Sequence, residues 1–481
     1  MYIILLLILG FILRISYIIK PEGLWNDEYV SWLISATPFK ENFWSEVLKQ
    51  CHMPIYYLYL KPFASFGDIA LRLTSIIPSV IAIYIMYLVG KEFYNKVAKI
   101  TATITAILPF IVYYSQEVRF YSLLFLISSI SLLFFLKLLK NNKWLWHWIG
   151  SLILILLTHV LGFFFILPFI LYYIYTKKHL SKRLLTTIGL ICLLIIPFGI
   201  NILKMIPSSQ WWGTFSYTNI LFLFSDYFSP ILTNHINAPP VFFYNKNLFF
   251  AFLLLVPTLI ATFFITKGLR KQKGLFFISL FFITTISILA NLGKLVFISK
   301  YLIEILPILI LLFSLGIENK KDKILLVSFI IINIFSILTP YYPSKQIRSE
   351  GHKIVCDILN DIEQDVIIFT YYEPNRFYRY LKNNIKSLYI SKNNRFKYVN
   401  KPELILDKIS SKTRVSIVFL DSVSFIPENY IEKSIDYNLP EIFITFSKIK
   451  NSLIKELDKN YTNFDIQSKG SWTVITGTKK L

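Results

Sequence analysis

The sequence predicts an α-helical polytopic membrane protein of about eleven transmembrane helices, followed by a small extracytoplasmic α/β domain. Three observations support this fold class. Hydrophobic residues make up 55% of the 481-residue chain. Apolar runs of about 17–25 residues, the length needed to cross a bilayer, recur as far as residue 340. Basic residues cluster in every second loop between these runs.

The apolar runs give the predicted spans in chain order. The first begins at Met1 and has neither a basic n-region nor a small-residue cleavage site, so we interpret it as a retained span and not as a signal peptide. A loop over residues 20–68 follows it. The predicted spans are 2–19, 69–89, 98–113, 119–136, 145–158, 160–176, 185–203, 247–266, 274–291, 297–315 and 323–339.

The basic loops predict the orientation. Short cytoplasmic loops of membrane proteins collect Lys and Arg, which predicts a multi-pass membrane protein with a cytoplasmic N-terminus, an external loop 20–68 and an external C-terminal segment. The same rule divides the apolar stretch 145–176 into two crossings that turn near Thr158-His159; one long helix is the alternative. The basic loops carry Lys91, Lys96, Lys99; Lys137, Lys140, Lys143; Lys177, Lys178, Lys182, Arg183; Lys267, Arg270, Lys271, Lys273; and Lys320, Lys321, Lys323.

The net charge of +22 would fit a nucleic-acid partner. Because so much of the charge lies in short loops between apolar segments, we expect no nucleic-acid partner. Basic loops between apolar segments are instead typical of a protein that is embedded in a lipid membrane.

The sequence changes character at residue 341. Residues 1–340 are expected to form the transmembrane domain, and residues 341–481 a small α/β domain that supports the protein or docks an acceptor. This second part is polar, with short β-rich runs and helix-like stretches between them. The predicted strands are Val366–Tyr372, Val415–Leu420, Ile442–Phe446 and Trp472–Thr476, and the helix-like stretches include Pro374–Leu381 and Ser452–Lys459.

An acidic pair, Asp27-Glu28, follows the first span. Two adjacent carboxylates at the mouth of a membrane protein are costly to bury and chemically useful. In a plain structural interpretation, Asn26 is the N-cap of a helix and the two acids favour its macrodipole. That interpretation is compatible with catalysis.

Other polar residues are predicted on the same external side, where ionisable groups at membrane depth are functional candidates. Each also has a structural alternative. Arg72 could reach lipid headgroups, Glu117 and Arg119 could pair, and Lys300 could anchor a span at the interface. The two histidines could be hydrogen-bonding residues at helix ends. The candidates are His52, Tyr56, Arg72, Gln116, Glu117, Arg119, His159, Lys300 and Tyr301.

Three local motifs resemble polyprenyl-phosphate-sugar-dependent glycosyltransferases of the GT-C fold, in the bacterial branch related to protein O-mannosyltransferases and the aminoarabinose transferase of lipid A. The first is Trp25-Asn-Asp-Glu28. The second is His52-Met-Pro-Ile-Tyr-Tyr57 followed by Leu71-Arg-Leu-Thr-Ser. The third is Tyr113-Tyr-Ser-Gln-Glu-Val-Arg-Phe-Tyr121. Thr158-His159 and Lys300-Tyr301 match more loosely, and the family usually has Arg in place of Lys300.

The resemblance implies a donor sugar linked to polyprenyl phosphate and a hydroxyl acceptor on a protein, a lipid or a surface glycan. Asp27 would be the general base, carried over from the first acid of the family's motif, with Glu28 orienting it or the acceptor. Glu117 would position Arg119 or the sugar, and transfer would invert the anomeric carbon.

Negative charge on the leaving phosphate would be stabilised by cations. The candidates for this role are Arg72, Arg119 and Lys300, with Tyr301 beside them. The substrate cavity would include His52, Tyr56, Gln116 and His159.

No cofactor is expected. The alternative is a divalent ion held by Asp27, Glu117 and His52. Two other functions compete with glycosyl transfer. One is a flippase or transporter of a lipid-linked sugar, which should show internal repeats; none is seen in the sequence. The other is a polysaccharide polymerase or ligase, for which larger external loops rich in Arg and His are expected.

Overall fold

A computed structural model of the chain describes residues 1–16, 18, 23–48, 53–177, 215–229, 248–293 and 297–338, five strands between residues 366 and 479, and the single residues 186, 189, 193, 356, 359 and 360. The chain divides into two compact units. One contains residues 1–18 and 30–343, and the other contains residues 19–29 and 344–481.

The first unit is helical. Short 3-10 helices lie at Lys61–Phe63, Asn142–Trp144 and Ser299–Ile305. The described α-helices, numbered in chain order, are α1 (Tyr2–Ile15), α2 (Asn26–Ala36, whose first residues belong to the second unit), α3 (Phe43–Leu48), α4 (Pro54–Leu60), α5 (Asp68–Lys91), α6 (Asn95–Ile107), α7 (Pro109–Tyr114), α8 (Tyr121–Lys140), α9 (Leu145–Thr158), α10 (Gly162–Lys177), α11 (Thr218–Phe228), α12 (Leu248–Lys271), α13 (Lys273–Asn291), α14 (Leu306–Gly316) and α15 (Lys320–Leu338).

Several of these helices suit a bilayer. Four helical segments of the described chain are long and apolar enough to cross one: Asp68–Lys91, Tyr121–Lys140, Lys273–Asn291 and Ser299–Gly316. The protein is therefore mostly helical and contains several apolar helices, as predicted. The predicted span 185–203 lies almost entirely outside the described residues.

The apolar stretch 145–176 is two helices, as the charge pattern predicts. Helix α9 ends at Thr158, and His159 has an extended backbone with φ −148° and ψ 136°. Gly162 begins α10 at a point where a Cβ atom would lie 2.7 Å from a side-chain carbon of Ile155. The glycine therefore lets the two helices approach closely just after the turn.

The stretch 98–113 was predicted as one span, but in the structure it is broken at Leu108-Pro109. Helix α6 ends at Ile107 and α7 begins at Pro109. Proline has no backbone N–H, so the carbonyl of Thr105 loses its usual helical donor. The Arg14 guanidinium supplies donors instead, with Nη2 3.1 Å from the Thr105 oxygen and Nη1 2.9 Å from the Ala106 oxygen. The buried Arg14 guanidinium therefore stabilises the break between α6 and α7.

Helices α12 and α14 approach each other through two glycines. A Cβ atom on Gly268 would lie 2.0 Å from the Leu312 carbonyl oxygen, and one on Gly316 would lie 2.1 Å from the Phe264 carbonyl oxygen. Small residues permit such close backbone packing between membrane helices. Because α14 continues directly from the 3-10 helix Ser299–Ile305, the glycine contact also fixes the position of that segment.

A capping box begins α15. The Asn319 side chain accepts from the Asp322 backbone N–H at 2.8 Å, and the Asp322 carboxylate accepts from the Asn319 backbone N–H at 3.2 Å. The same carboxylate pairs with Lys267 at 2.7 Å. Burial alone would raise the pKa of Asp322, but the hydrogen bonds from Lys267 and from backbone amides outweigh burial and lower it.

The second unit contains a mixed five-stranded sheet in the order β2-β1-β3-β5-β4. Strand β1 (Val366–Phe369) pairs in parallel with β2 (Ser387–Tyr389) and β3 (Arg414–Leu420). Strand β5 (Trp472–Lys479) lies antiparallel between β3 and β4 (Tyr461–Lys469).

Three predicted strands overlap with β1, β3 and β5, although their predicted ends differ from the observed ones. The predicted strand Ile442–Phe446 and both helix-like stretches lie outside the described residues. Strands β2 and β4 were not predicted. Strand β4 contains Asn463, Asp465 and Gln467; Asn and Asp are depleted in strands, so its polar sequence gave no clear signal.

Candidate active site

The turn between α7 and α8, residues 115–120, is the centre of the candidate site. All six of its residues are buried, including Gln116 and Glu117, each 1% exposed. The Arg119 backbone N–H donates to the Glu117 carbonyl at 2.8 Å. The turn thus holds an amide, a carboxyl group and a guanidinium within four consecutive residues and away from solvent.

Arg119 links this turn to helix α2. Its Nη1 donates to Ser31 Oγ at 3.1 Å, and its guanidinium lies over the rings of Phe120 and Tyr121, 5.5 and 5.9 Å from their centroids. Ser31 follows Asp27 by one turn of the same helix. The predicted phosphate-binding arginine is therefore hydrogen-bonded to the part of α2 that belongs to the first unit.

Lys300 belongs to the same aromatic cluster. Its Nζ lies 5.1 Å from the centroid of the Tyr301 ring and 5.8 Å from that of the Tyr121 ring. Tyr121 is therefore next to both cations. Because Lys300 is only 4% exposed, it does not behave as a lysine that anchors a span at the lipid interface.

His159 is enclosed by aromatic rings and paired with a carboxyl group. Its ring stacks on Phe120 at 4.7 Å and on Tyr301 at 5.8 Å, and its Nδ1 lies 3.2 Å from Glu304 Oε1. Both side chains are buried. The arrangement fixes the orientation of the imidazole between the turn and the segment that carries Lys300.

Helix α11 holds that segment from another side. The Tyr227 hydroxyl lies 2.6 Å from the Leu302 carbonyl oxygen and 3.0 Å from that of Ser299. Ser299 Oγ donates to Asp226 Oδ2. Burial, followed by the charges of Glu304 and Asp226, raises the pKa of Tyr227 well above its usual value, so the phenol stays protonated and can donate.

Arg72 and Tyr56 are both buried. Arg72 Nη1 donates to the Ile18 carbonyl at 3.2 Å, which does not support the alternative that it reaches lipid headgroups. The Tyr56 ring packs edge-on against Phe120 at 6.4 Å. Tyr56 therefore borders the aromatic cluster.

The acidic pair lies in the first turn of α2. Helix α2 begins at Asn26. Glu28 is fully buried, and its Oε2 accepts from the Trp25 backbone N–H at 3.1 Å. This is one half of a capping box. Asp27 is partly exposed.

Sequence reasoning missed three residues of this region, Glu304, Asp226 and Ser31. Glu304 had a detectable signal, because it is an ionisable residue inside an apolar run, Leu302-Ile-Glu-Ile-Leu306. His52 lies outside the described residues. Among the residues that are described, no group of three or more His, Cys, Asp or Glu side chains is placed to hold a metal ion.

Known proteins resemble this chain in part of its sequence and throughout its fold. The profile of the family described as dolichyl-phosphate-mannose-protein mannosyltransferase matches residues 56–200, a segment that includes Glu117, Arg119 and His159. The match confirms the resemblance expected from the motifs. No curated protein matches the chain in sequence.

Two crystal structures of ArnT from Cupriavidus metallidurans have a similar fold. The apo structure has a TM-score of 0.54 at 10% sequence identity, over 99% of this chain and 97% of that one. The structure bound to undecaprenyl phosphate has a TM-score of 0.51 at 11% identity, with the same coverage. At this identity the likeness shows the fold, which is that of the GT-C membrane glycosyltransferases.

Proposed function

We propose that this multi-pass membrane protein, a glycosyltransferase with the GT-C fold, moves a sugar from a polyprenyl-phosphate-linked donor to a hydroxyl group of a protein, lipid or surface glycan. The reaction takes place on the outer side of the membrane. The observation that carries this proposal is the pair of buried cations, Arg119 and Lys300, on the two sequence segments that meet at Tyr121.

Buried cations suit the leaving group of this reaction. As the bond between the anomeric carbon and the phosphate oxygen breaks, its electron pair moves to the lipid phosphate. Positive groups fixed in a dry site stabilise that charge more strongly than the same groups would in water. Arg119 can grip phosphate through two N–H groups, whereas Lys300 acts as a point charge. With these cations present, the proposed mechanism requires no metal ion.

The acceptor hydroxyl must lose its proton as it attacks. Asp27 is the proposed base, and the contact of Glu28 with the helix backbone supports assigning this task to the first acid of the pair. The acceptor oxygen bonds to the anomeric carbon, its proton goes to the Asp27 carboxylate, and the phosphate leaves from the opposite face. Inversion of the anomeric carbon follows.

The remaining candidates are proposed to shape the site. His159, fixed by Glu304, and Tyr301 form one aromatic wall, and Tyr56 borders another. Glu117 is proposed to orient the sugar or Arg119. Arg72 is proposed as a further cation for the lipid phosphate.

Turnover by the reconstituted protein tests the proposal. The full chain in lipid nanodiscs should release polyprenyl phosphate from a polyprenyl-phosphate-linked sugar when an acceptor is present. Asp27→Asn should slow this release by about 10²- to 10⁴-fold, the usual contribution of a general base, while donor binding stays intact. Glu41→Gln, at an exposed acid outside the helices, is the matched control. Near-normal turnover by Asp27→Asn would exclude Asp27 as the base.

A further inference from the structure

The Gln116 side chain is buried without the hydrogen bonds that such a group normally makes. It is 1% exposed, and neither Oε1 nor Nε2 has a hydrogen-bond partner among the described residues. Its backbone N–H, by contrast, donates to the Tyr113 carbonyl at 3.1 Å. Buried polar side chains are nearly always hydrogen-bonded, so an amide that lacks partners at both ends calls for an occupant that supplies them.

The chemistry of the amide limits what that occupant can be. Oε1 needs a donor and Nε2 needs an acceptor. A phosphate at neutral pH offers mainly acceptors and would leave Oε1 without a partner. A polyprenyl chain offers neither. A hydroxyl group both donates and accepts, so one or two neighbouring sugar hydroxyls would satisfy the whole amide.

The position of Gln116 favours the sugar of the donor. In the proposed reaction the lipid phosphate lies against Arg119, three residues further along the same buried turn. The donor sugar is bonded directly to that phosphate through its anomeric carbon. A side chain on this turn is therefore well placed for the first sugar ring.

We propose that the Gln116 amide recognises hydroxyl groups of the donor sugar and so contributes to donor specificity. This inference rests on the proposed function. The ligand class is a neutral, hydroxyl-bearing sugar attached to polyprenyl phosphate, with the amide as both donor and acceptor. Gln116 is thus assigned to the sugar, and Arg119 and Lys300 to the phosphate.

The test compares donor binding with and without the sugar. The full-length protein in nanodiscs is titrated with undecaprenyl phosphate, and then with undecaprenyl phosphate carrying mannose, glucose, galactose, N-acetylglucosamine or aminoarabinose. We expect the wild type to bind at least one sugar-bearing lipid more tightly than the bare lipid phosphate. Gln116→Met, of similar length and without the amide, should lose about 10- to 30-fold in affinity for that lipid, or about 1.4–2 kcal/mol. Its affinity for bare undecaprenyl phosphate should not change.

Thermal unfolding separates this role from a structural one. If the amide has no partner until the donor binds, an apolar replacement should leave the ligand-free Tm unchanged or raise it. Ser131→Ala is the matched control, because the Ser131 hydroxyl is also buried without a partner among the described residues and lies in α8 away from the turn. This variant should bind every lipid as the wild type does.

Three results would overturn the inference. Gln116→Met could weaken the binding of bare and sugar-bearing undecaprenyl phosphate equally, could leave both affinities unchanged, or could lower the ligand-free Tm by several degrees. The last result would show that a water molecule or a protein group already satisfies the amide. If the wild type fails to bind bare undecaprenyl phosphate, the proposed function fails and this inference fails with it. If it binds the bare lipid and gains nothing from any sugar, only the inference fails.

Discussion

Replacing Gly268 by alanine should destabilise the protein and weaken transfer, although Gly268 is not part of the candidate site. The added Cβ would lie 2.0 Å from the Leu312 carbonyl oxygen and 2.7 Å from its carbon, whereas ordinary contacts are 3.4–4 Å. Helix α14 would therefore have to retreat by roughly 1.4 Å at this point. The atoms in the way are backbone atoms, which cannot rotate aside as a side chain can.

The expected magnitude follows from this displacement. Overpacking of a well-packed interior typically costs about 1–3 kcal/mol, and a backbone clash is at the upper end of that range. Helix α14 continues from the segment that carries Lys300, so the same movement shifts the cation. Because a misplacement of about 1 Å can cost about 10²-fold in rate, we expect transfer to fall by at least tenfold.

Apparent Tm in detergent and turnover in nanodiscs are the assays for this prediction. Gly150→Ala is the control, because Gly150 is also helical and a Cβ there meets no atom within 4 Å. Since Ala is a better helix former than Gly by about 1 kcal/mol, the control should keep or raise the apparent Tm. A Gly268→Ala protein with the Tm and turnover of the wild type would refute the packing argument.

Two further predictions concern the Lys300 segment and the start of α15. Tyr227→Phe removes a donor from the buried Leu302 carbonyl, which should cost about 1–3 kcal/mol and weaken binding of polyprenyl phosphate; unchanged Tm and affinity would show that α11 does not hold Lys300 in place. Asp322 has a lowered pKa, so the stability contributed by its carboxylate is present above the unfolded-state pKa of about 4 and is lost as pH falls through the lower folded-state value. Asp322→Asn should therefore lower the free energy of unfolding at pH 7 by about 1 kcal/mol, and with it the Tm. The difference in Tm between this variant and the wild type should shrink below pH 4. A difference that does not change between pH 3 and pH 7 would contradict the Lys267–Asp322 account.

Much of the helical architecture could be predicted from apolar runs and basic loops. These signals are local, because a span needs a fixed number of apolar residues and an orientation follows from nearby Lys and Arg. The turn at Thr158-His159 was found this way. The break at Leu108 was missed even though Pro109 is visible in the sequence, because prolines inside membrane helices are often tolerated. The helix containing Pro78 is one example that continues without a break.

The site was predicted less completely than the fold. Arg119, Lys300 and His159 were named from local motifs, and the structure brings them together around Tyr121, Phe120 and Tyr301. His159 pairs with Glu304, which is 145 residues further along the chain, and Ser299, next to Lys300, pairs with Asp226, which is 73 residues earlier. Such pairings depend on which helices pack together, and one sequence does not contain that information in a local pattern.

Arg14 shows the opposite case, a charged residue at membrane depth whose task is structural. An ionisable residue within an apolar span is a functional candidate by default. The structure instead shows its guanidinium donating to Ser79 Oγ at 2.7 Å and to backbone carbonyls of α1 and α6. Burial and charge alone therefore do not distinguish a cation that binds a ligand from one that donates to the unpaired carbonyls at a helix break.

Binding of a polyprenyl phosphate to the reconstituted protein tests most directly the claim that the buried cations receive the lipid phosphate. A charge-assisted hydrogen bond contributes about 1.5–3 kcal/mol, so Arg119→Gln and Lys300→Met should each raise the Kd for undecaprenyl phosphate by about 10- to 100-fold. Lys40→Gln, at an exposed lysine of the predicted external loop, controls for general charge attraction and should bind as the wild type does. If both site variants bind undecaprenyl phosphate as tightly as Lys40→Gln and the wild type, the cations do not receive the lipid phosphate and the central claim is wrong.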